Sequence, residues 1–194
     1  MTYYLIGLIL ILLSGFHMFD QVNKTEPKIT LFIQQALKQK SMLTIFKDIW
    51  IFGRTTFSLI MLLLLTFFDW KIGLIAAGVF FLIIGVEYLV KSLYYRNRPF
   101  ISQQGISMLQ PFEPLDSSFP SGDTLRVWYL ALIFSAASGG NTLFLIAVIF
   151  LAVLVTLGRL VMGVHYLTDT LAGAGLGIIG AGTTIWLWNL LNIS

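Results

Sequence analysis

The sequence predicts an all-α membrane protein: a bundle of six transmembrane helices, with an amphipathic helix lying at the interface after the first span. Three observations carry this expectation. Of the 194 residues, 57% are hydrophobic and only 11% charged, with a mean hydropathy of +0.87, against about 25% charged in an ordinary soluble domain. Several apolar runs approach or reach the roughly 20 residues that cross a hydrocarbon core of about 30 Å. Four prolines, Pro99, Pro111, Pro114 and Pro120, gather in one connection between two of those runs. The whole chain, 1–194, is expected to form one transmembrane domain.

The first run, 3–19, has no basic leader and no small-residue cleavage site after it, so it reads as a first helix and not as a cleaved signal. From 20 to 48 the chain turns polar. Within it Ile29, Phe32, Ile33, Ala36 and Leu37 recur at helical spacing against Gln34, Gln35, Lys38 and Lys40, the pattern of an interfacial helix. Further spans are expected over 49–68, 72–93, 125–137, 142–161 and 167–191. The connection 96–124 is closed to helix by its prolines, which remove donors and restrict the residues before them. The last span carries Gly173, Gly175, Gly177, Gly180 and Gly182, which suits close helix contact in lipid, where association depends on packing. Two ionisable groups, Arg54 and Glu87, fall inside expected spans, where such groups need a partner or a route to the interface.

Six crossings put the loop after the third span beside the loop after the fifth, so three polar stretches meet on one face. The first is Lys91 to Pro99, with Lys91, Arg96 and Arg98. The second is Pro120-Ser121-Gly122-Asp123, and the third is Arg159 with His165 and Asp169. A transferring phosphoryl group spreads negative charge over its oxygens and calls for fixed cations and donors. Lys91, Arg98 and Arg159 supply the cations, arginine as a planar fork and lysine as a point charge. Ser121 and Gly122, just before a helix, could turn backbone amides toward an anion. His165 and Asp169 lie four apart, where a carboxylate can fix the imidazole tautomer and leave the other nitrogen free to attack phosphorus. Each motif alone has a plainer reading: Lys91 paired with Glu87, an ordinary turn with Asp123 or Thr124 as cap, a histidine and an aspartate satisfying each other. His17 has no partner pattern and reads as structural.

In order and spacing the three stretches resemble the type 2 phosphatidic acid phosphatase family: Lys, six residues, Arg-Pro; then Pro-Ser-Gly-His; then Ser-Arg, five residues, His, three residues, Asp. The resemblance covers Lys91 to Asp169 by motif. It implies an integral membrane lipid phosphatase in which His165 becomes a phosphohistidine and Asp169 orients it. The substrate implied is a lipid bearing a phosphomonoester or diphosphate, of the phosphatidate, phosphatidylglycerol phosphate, polyprenyl diphosphate or lipid A type. The resemblance also implies catalytic loops on the extracytoplasmic face of the inner membrane. Lys24, Lys28, Lys38, Lys40 and Lys47 in the first loop would by the positive-inside rule argue the opposite orientation; a basic amphipathic helix can bind anionic head groups on either leaflet, so the family orientation is the one expected.

Two positions depart from the pattern: Asp123 stands for the family's histidine and Gly158 for the serine before the arginine. The family histidine protonates the leaving group, whereas an unperturbed aspartate is ionised near neutral pH. Three readings of Asp123 stay open: an acid raised by burial, against the pull of Arg98, Arg126 and Arg159; a diphosphate substrate whose leaving group needs little protonation; or a catalytically weakened, phospholipid-binding protein. A phosphotransferase that passes the phosphoryl group to another lipid is the further enzymatic alternative. No cofactor and no metal are expected, since fixed cations can neutralise the charge and no acidic cluster has ligand spacing. With no cysteine, disulfides and thiolate chemistry are excluded, and a formal charge of +3 clustered at the motifs and first loop indicates no nucleic-acid surface. Oligomeric state is not legible.

Overall fold

The computed structural model describes residues 1–192, and over them the chain is built from helices and loops without a strand. The α-helices are α1 Thr2–Ser14, α2 Asp20–Leu37, α3 Lys40–Ile49, α4 Thr55–Phe68, α5 Trp70–Leu93, α6 Pro99–Ser102, α7 Gly122–Ala137, α8 Thr142–Val161 and α9 Leu167–Asn192, with 3₁₀ turns at Gly15–Met18 and Trp50–Gly53. Three of them, α5, α8 and α9, are long and apolar enough to cross a membrane individually. The others in the expected set are shorter: α1 has 13 residues, α4 has 14 and α7 has 16. Large side chains such as Phe67, Phe68, Phe81, Leu82, Leu143 and Phe150 stand exposed on the outside of the bundle, an apolar surface suited to lipid and far beyond what a soluble monomer shows.

The core forms where α9 runs through the middle. Its glycines face two ways: Gly173 and Gly177 lie against the backbone of α7 at Ser121 and Leu125, and Gly175 lies against Gly7 of α1. A β-carbon at any of these would meet backbone atoms of the neighbour, so the approach needs glycine. Around this spine Phe80, Ile83, Leu125, Tyr129, Ile133 and Ile178 pack together, and the buried Tyr129 hydroxyl donates to the Ala76 carbonyl at 2.6 Å. Asp69 caps α5 through the amides of Lys71 and Ile72, and Asn141 caps α8 through Phe144.

Two expectations change. The run 49–68 is not one helix: it breaks at Arg54, and the segment Lys40–Gly53 meets α4 at 51°. Arg54 is therefore an exposed residue at a helix junction, stacked over Trp50 at 5.1 Å, and not a charge within a span. The break leaves the Gly53 carbonyl free of helical bonding, and Arg126 Nε donates to it at 2.7 Å. The second change concerns α2, which leaves the first helical segment at 103°. It buries a polar stripe, Glu26, Thr30 and Gln34, while Ile29 and Phe32 are exposed. The reason lies in what it packs on. Gln34 Nε2 donates to the carbonyls of Ser107 (2.8 Å) and Val161 (2.9 Å), and its Oε1 accepts from the Ser107 amide (2.9 Å), satisfying loop and helix-end backbone that lipid could not.

Candidate active site

The loop residues reach the site because the chain ends of α5, α8 and α9 are drawn together. After α8, Gly163 takes a left-handed conformation with φ +71°, which turns the chain sharply toward Val164 and His165. A β-carbon there would collide with the Ser107 carbonyl, so both conformation and space call for glycine. Arg98 then fastens this turn: Nη1 donates to the Val164 carbonyl at 2.9 Å and lies 3.3 Å from His165 Nε2.

A cavity of 170 Å³ is lined by Trp50, Lys91, Arg98, Gln110, Pro114, Asp116, Gly122, Asp123, Arg126, Arg159 and His165. It brings together Lys91, Arg98, Gly122, Asp123, Arg159 and His165 from the three motifs. Ser121 is not among the lining residues: its amide donates to the Asp169 carbonyl at 3.0 Å and its hydroxyl pairs with Thr124 at 3.0 Å. The cradle expected from Ser121 and Gly122 thus narrows to Gly122, whose missing side chain makes room for the Glu87 carboxylate.

His165 is buried, and its Nδ1 lies 2.8 Å from the Ser118 carbonyl. A carbonyl only accepts, so Nδ1 carries the proton and Nε2 presents its lone pair on the side of Arg98. Asp169 sits 3.7 Å from Nδ1, beyond a hydrogen bond, so the immediate orienter is the Ser118 carbonyl; Asp169 accepts the Tyr166 amide at 2.8 Å. Burial, followed by Arg98, Arg159 and Lys91, holds the imidazole well below its ordinary pKa, so the ring is neutral near pH 7.

The cations are fixed from several sides. Asp116 bridges Lys91 (2.5 Å) and Arg98 (2.7 Å). Burial works against its ionisation, but Lys91 and then Arg98 outweigh it and hold Asp116 below the usual carboxylate range. Lys91 also pairs with Glu87 at 3.1 Å. Arg159 Nη2 donates to Gln110 Oε1 at 2.6 Å and lies 3.1 Å from Asp123, with its guanidinium 5.4 Å from the Trp50 ring centre. Its Nε is buried with no hydrogen-bond partner among the described residues, a donor that a buried guanidinium does not normally leave unused.

Asp123 is an acceptor on every side. Arg126 donates to Oδ1 at 2.7 Å, and the Trp50 indole to Oδ2 at 2.9 Å, where Arg159 also approaches. Sequence reasoning missed Trp50, Gln110, Asp116 and Ser118, and it saw Arg126 only as a neighbour of Asp123. His17, read as structural, bonds Ser14 O (2.6 Å) and Tyr94 Oη (3.2 Å), outside the cavity.

The sequence profile of the PAP2 superfamily matches residues 70–192. The chain belongs to the PAP2 superfamily. No curated protein matches the chain. Among solved structures, Aquifex aeolicus LpxE aligns with a TM-score of 0.74 at 23% identity, covering 82% of this chain and 93% of LpxE. The transmembrane PAP2 type phosphatidylglycerolphosphate phosphatase of Bacillus subtilis aligns with a TM-score of 0.76 at 21% identity, covering 99% of this chain and 94% of its own. At these identities the likeness concerns the fold, which is that of a membrane protein. Membership in the superfamily carries the enzyme class, lipid phosphatase. The matched region begins at α5; α1 to α4 lie outside it.

Proposed function

We propose that the protein removes phosphate from a lipid phosphate or diphosphate by way of a phosphohistidine at His165. The observation that carries this reading is the imidazole of His165, whose Nδ1 is held by the Ser118 carbonyl while its Nε2 meets Arg98 Nη1 at 3.3 Å, in the same cavity as Lys91, Arg98 and Arg159. Nε2 attacks phosphorus, the bond to the leaving oxygen breaks, and the three cations meet the charge on the phosphoryl oxygens, with the unpartnered Nε of Arg159 among the available donors. Water then cleaves the phosphorus–nitrogen bond, releasing inorganic phosphate and restoring the imidazole. Asp169 stabilises the positive ring formed in between. With cations provided by side chains, the reaction is metal-independent.

Asp123 fills a different role from the histidine it replaces. With Trp50, Arg126 and Arg159 all directed at its oxygens it holds two guanidinium groups in place and does not donate a proton. A leaving group that needs little protonation suits this arrangement, and a phosphate monoester, with its second pKa of about 6, is such a group. The favoured substrate is therefore a lipid diphosphate. Its hydrocarbon has a place: an apolar groove of 210 Å³ is lined by Phe52, Phe57, Met61, Val127, Leu130 and Phe134 among others, and two of these, Phe52 and Val127, closely follow the cavity residues Trp50 and Arg126 in the chain.

The same reading takes the chain as one domain with six crossings, α1, α4, α5, α7, α8 and α9, and with α2 and α3 along the interface. The 103° departure of α2 from the first helical segment supports it. The cavity then opens at the extracytoplasmic face of the inner membrane. Because the chain has no cysteine, single cysteines at Gln104 and Asn141 give a clean test of sidedness with impermeant thiol reagents. Function is tested by phosphate release from farnesyl diphosphate, phosphatidate and phosphatidylglycerol phosphate in detergent, with His165→Ala as blank; release equal to the blank for all three would overturn the proposal.

A further inference from the structure

We propose that Glu26, on α2 and outside the region matched by the family, is a positioning residue for the nucleophile: through Arg96 and the Thr168 amide it sets Asp169 and the turn that carries His165. The inference rests on the phosphohistidine reading.

Glu26 is 2% exposed, at the centre of the polar stripe that α2 turns inward. Both of its oxygens are used. Oε1 accepts the backbone amide of Thr168, the second residue of α9, at 2.6 Å, and Oε2 pairs with Arg96 Nη2 at 2.6 Å. Arg96 Nη1 pairs with Asp169 Oδ1 at 2.5 Å and donates to the Thr168 hydroxyl at 2.9 Å, and the guanidinium lies 4.2 Å from the Tyr166 ring centre. Asp169 Oδ2 takes the Tyr166 amide and faces His165 Nδ1. Glu26 is thus tied to the start of α9 at Thr168 and, through Arg96, to Asp169, so the segment from Tyr166 to Asp169 is held from two directions.

The charge balance gives Glu26 a task beyond packing. One guanidinium lies between two carboxylates, leaving the cluster with one net negative charge beside the imidazole. If Glu26 were neutral, Arg96 would cancel Asp169, and the ring would become cationic on phosphorylation without a compensating charge. The charged groups facing His165 are Asp169, Arg98 of the loop before α6, Arg159 of α8 and Lys91 of α5. Those facing Glu26 are Arg96, Asp169 and His17. Arg96 is not part of the expected phosphate cavity lining, so the effect falls on the nucleophile and not on binding.

The test uses the full chain in detergent. Glu26→Gln keeps the shape and the acceptor for Thr168 but removes the charge. Its kcat for farnesyl diphosphate is expected to fall about 10- to 100-fold, the scale of losing a partner that orients a working imidazole, while KM stays within about 3-fold because Lys91, Arg98 and Arg159 are untouched. Glu26→Asp is expected to recover part of the kcat. Glu26→Gln combined with Arg96→Met, which again leaves Asp169 uncancelled, is expected to exceed Glu26→Gln alone. The chain has only two histidines, so ring ¹⁵N spectra report on His165 without substrate; Glu26→Gln should shift its Nδ1 and Nε2 signals as the turn and the charge beside the ring change. Wild-type kcat in Glu26→Gln, a rise in KM that accounts for the whole loss, or unchanged His165 ring signals would each overturn the proposal. A wild-type chain that releases no phosphate would end the phosphatase reading instead, and the ring spectra would still decide on Glu26.

Discussion

The chain from α5 onward and the chain before it build the same cavity by different means. The later part brings the groups proposed to react with and hold the phosphate, Lys91, Arg98, Arg159 and His165, on helix ends and tight loops, with Asp123 among their supports. The earlier part brings groups that fix them: the Trp50 indole on Asp123, the Gly53 carbonyl under Arg126, and Glu26 behind Arg96. Reacting groups are constrained by the chemistry of a tetrahedral anion and so recur at short spacings. Supporting groups are constrained only by where their helix docks, and any residue that reaches will serve.

The comparison breaks if supporting residues matter as much as reacting ones. Arg98→Ala or Arg159→Ala should lower kcat/KM for farnesyl diphosphate by about 10²- to 10³-fold, the cost of losing one preorganised donor to developing charge; losses below tenfold in steady-state phosphate release would remove them from the site. Asp123→His should raise phosphatidate hydrolysis by about 10²-fold, the lower end of what a positioned acid contributes. The same change should leave diphosphate turnover nearly unaltered, and a parallel gain on both substrates would show that Asp123 does not set the leaving group. Trp50→Phe deletes one hydrogen bond to Asp123 worth about 0.5 to 1.5 kcal/mol, so kcat/KM should fall by about 2- to 10-fold. The smallest effect is in the pH profile. Because burial and the neighbouring cations depress the His165 pKa, the neutral nucleophile persists on acidification, and kcat should begin to fall only well below pH 6.5. A half-maximal rate at pH 6.5 would mean an imidazole in ordinary surroundings.

The same division explains what could be read in advance. The helical class, the polar connection 96–124 and the meeting of the three motifs were legible, because hydropathy and motif spacing are local. The glycine contacts of α9 were legible as a tendency, and the structure gives each one its neighbour. The direction of α2 was not: period and polarity suggested an amphipathic helix at the interface without saying which side meets the protein, whereas Glu26, Thr30 and Gln34, four residues apart, turn inward because backbone groups at Ser107, Val161 and Thr168 await partners there. That four-residue polar spacing was the one available signal. The break at Arg54 was hidden within an apolar run, and so was the use of the Ser121 amide by the Asp169 carbonyl, a contact between segments that no local pattern reports.

The central claim is that the imidazole at position 165 takes the phosphoryl group while Arg98 and Arg159 hold it. The direct measurement is rapid quench of the full chain with β-³²P-labelled farnesyl diphosphate, whose terminal phosphate carries the label, followed by alkaline digestion and peptide mapping. The account predicts an acid-labile, base-stable label on the peptide containing His165, absent in His165→Ala. Label on another residue, or turnover with His165→Ala at the wild-type rate, would contradict it.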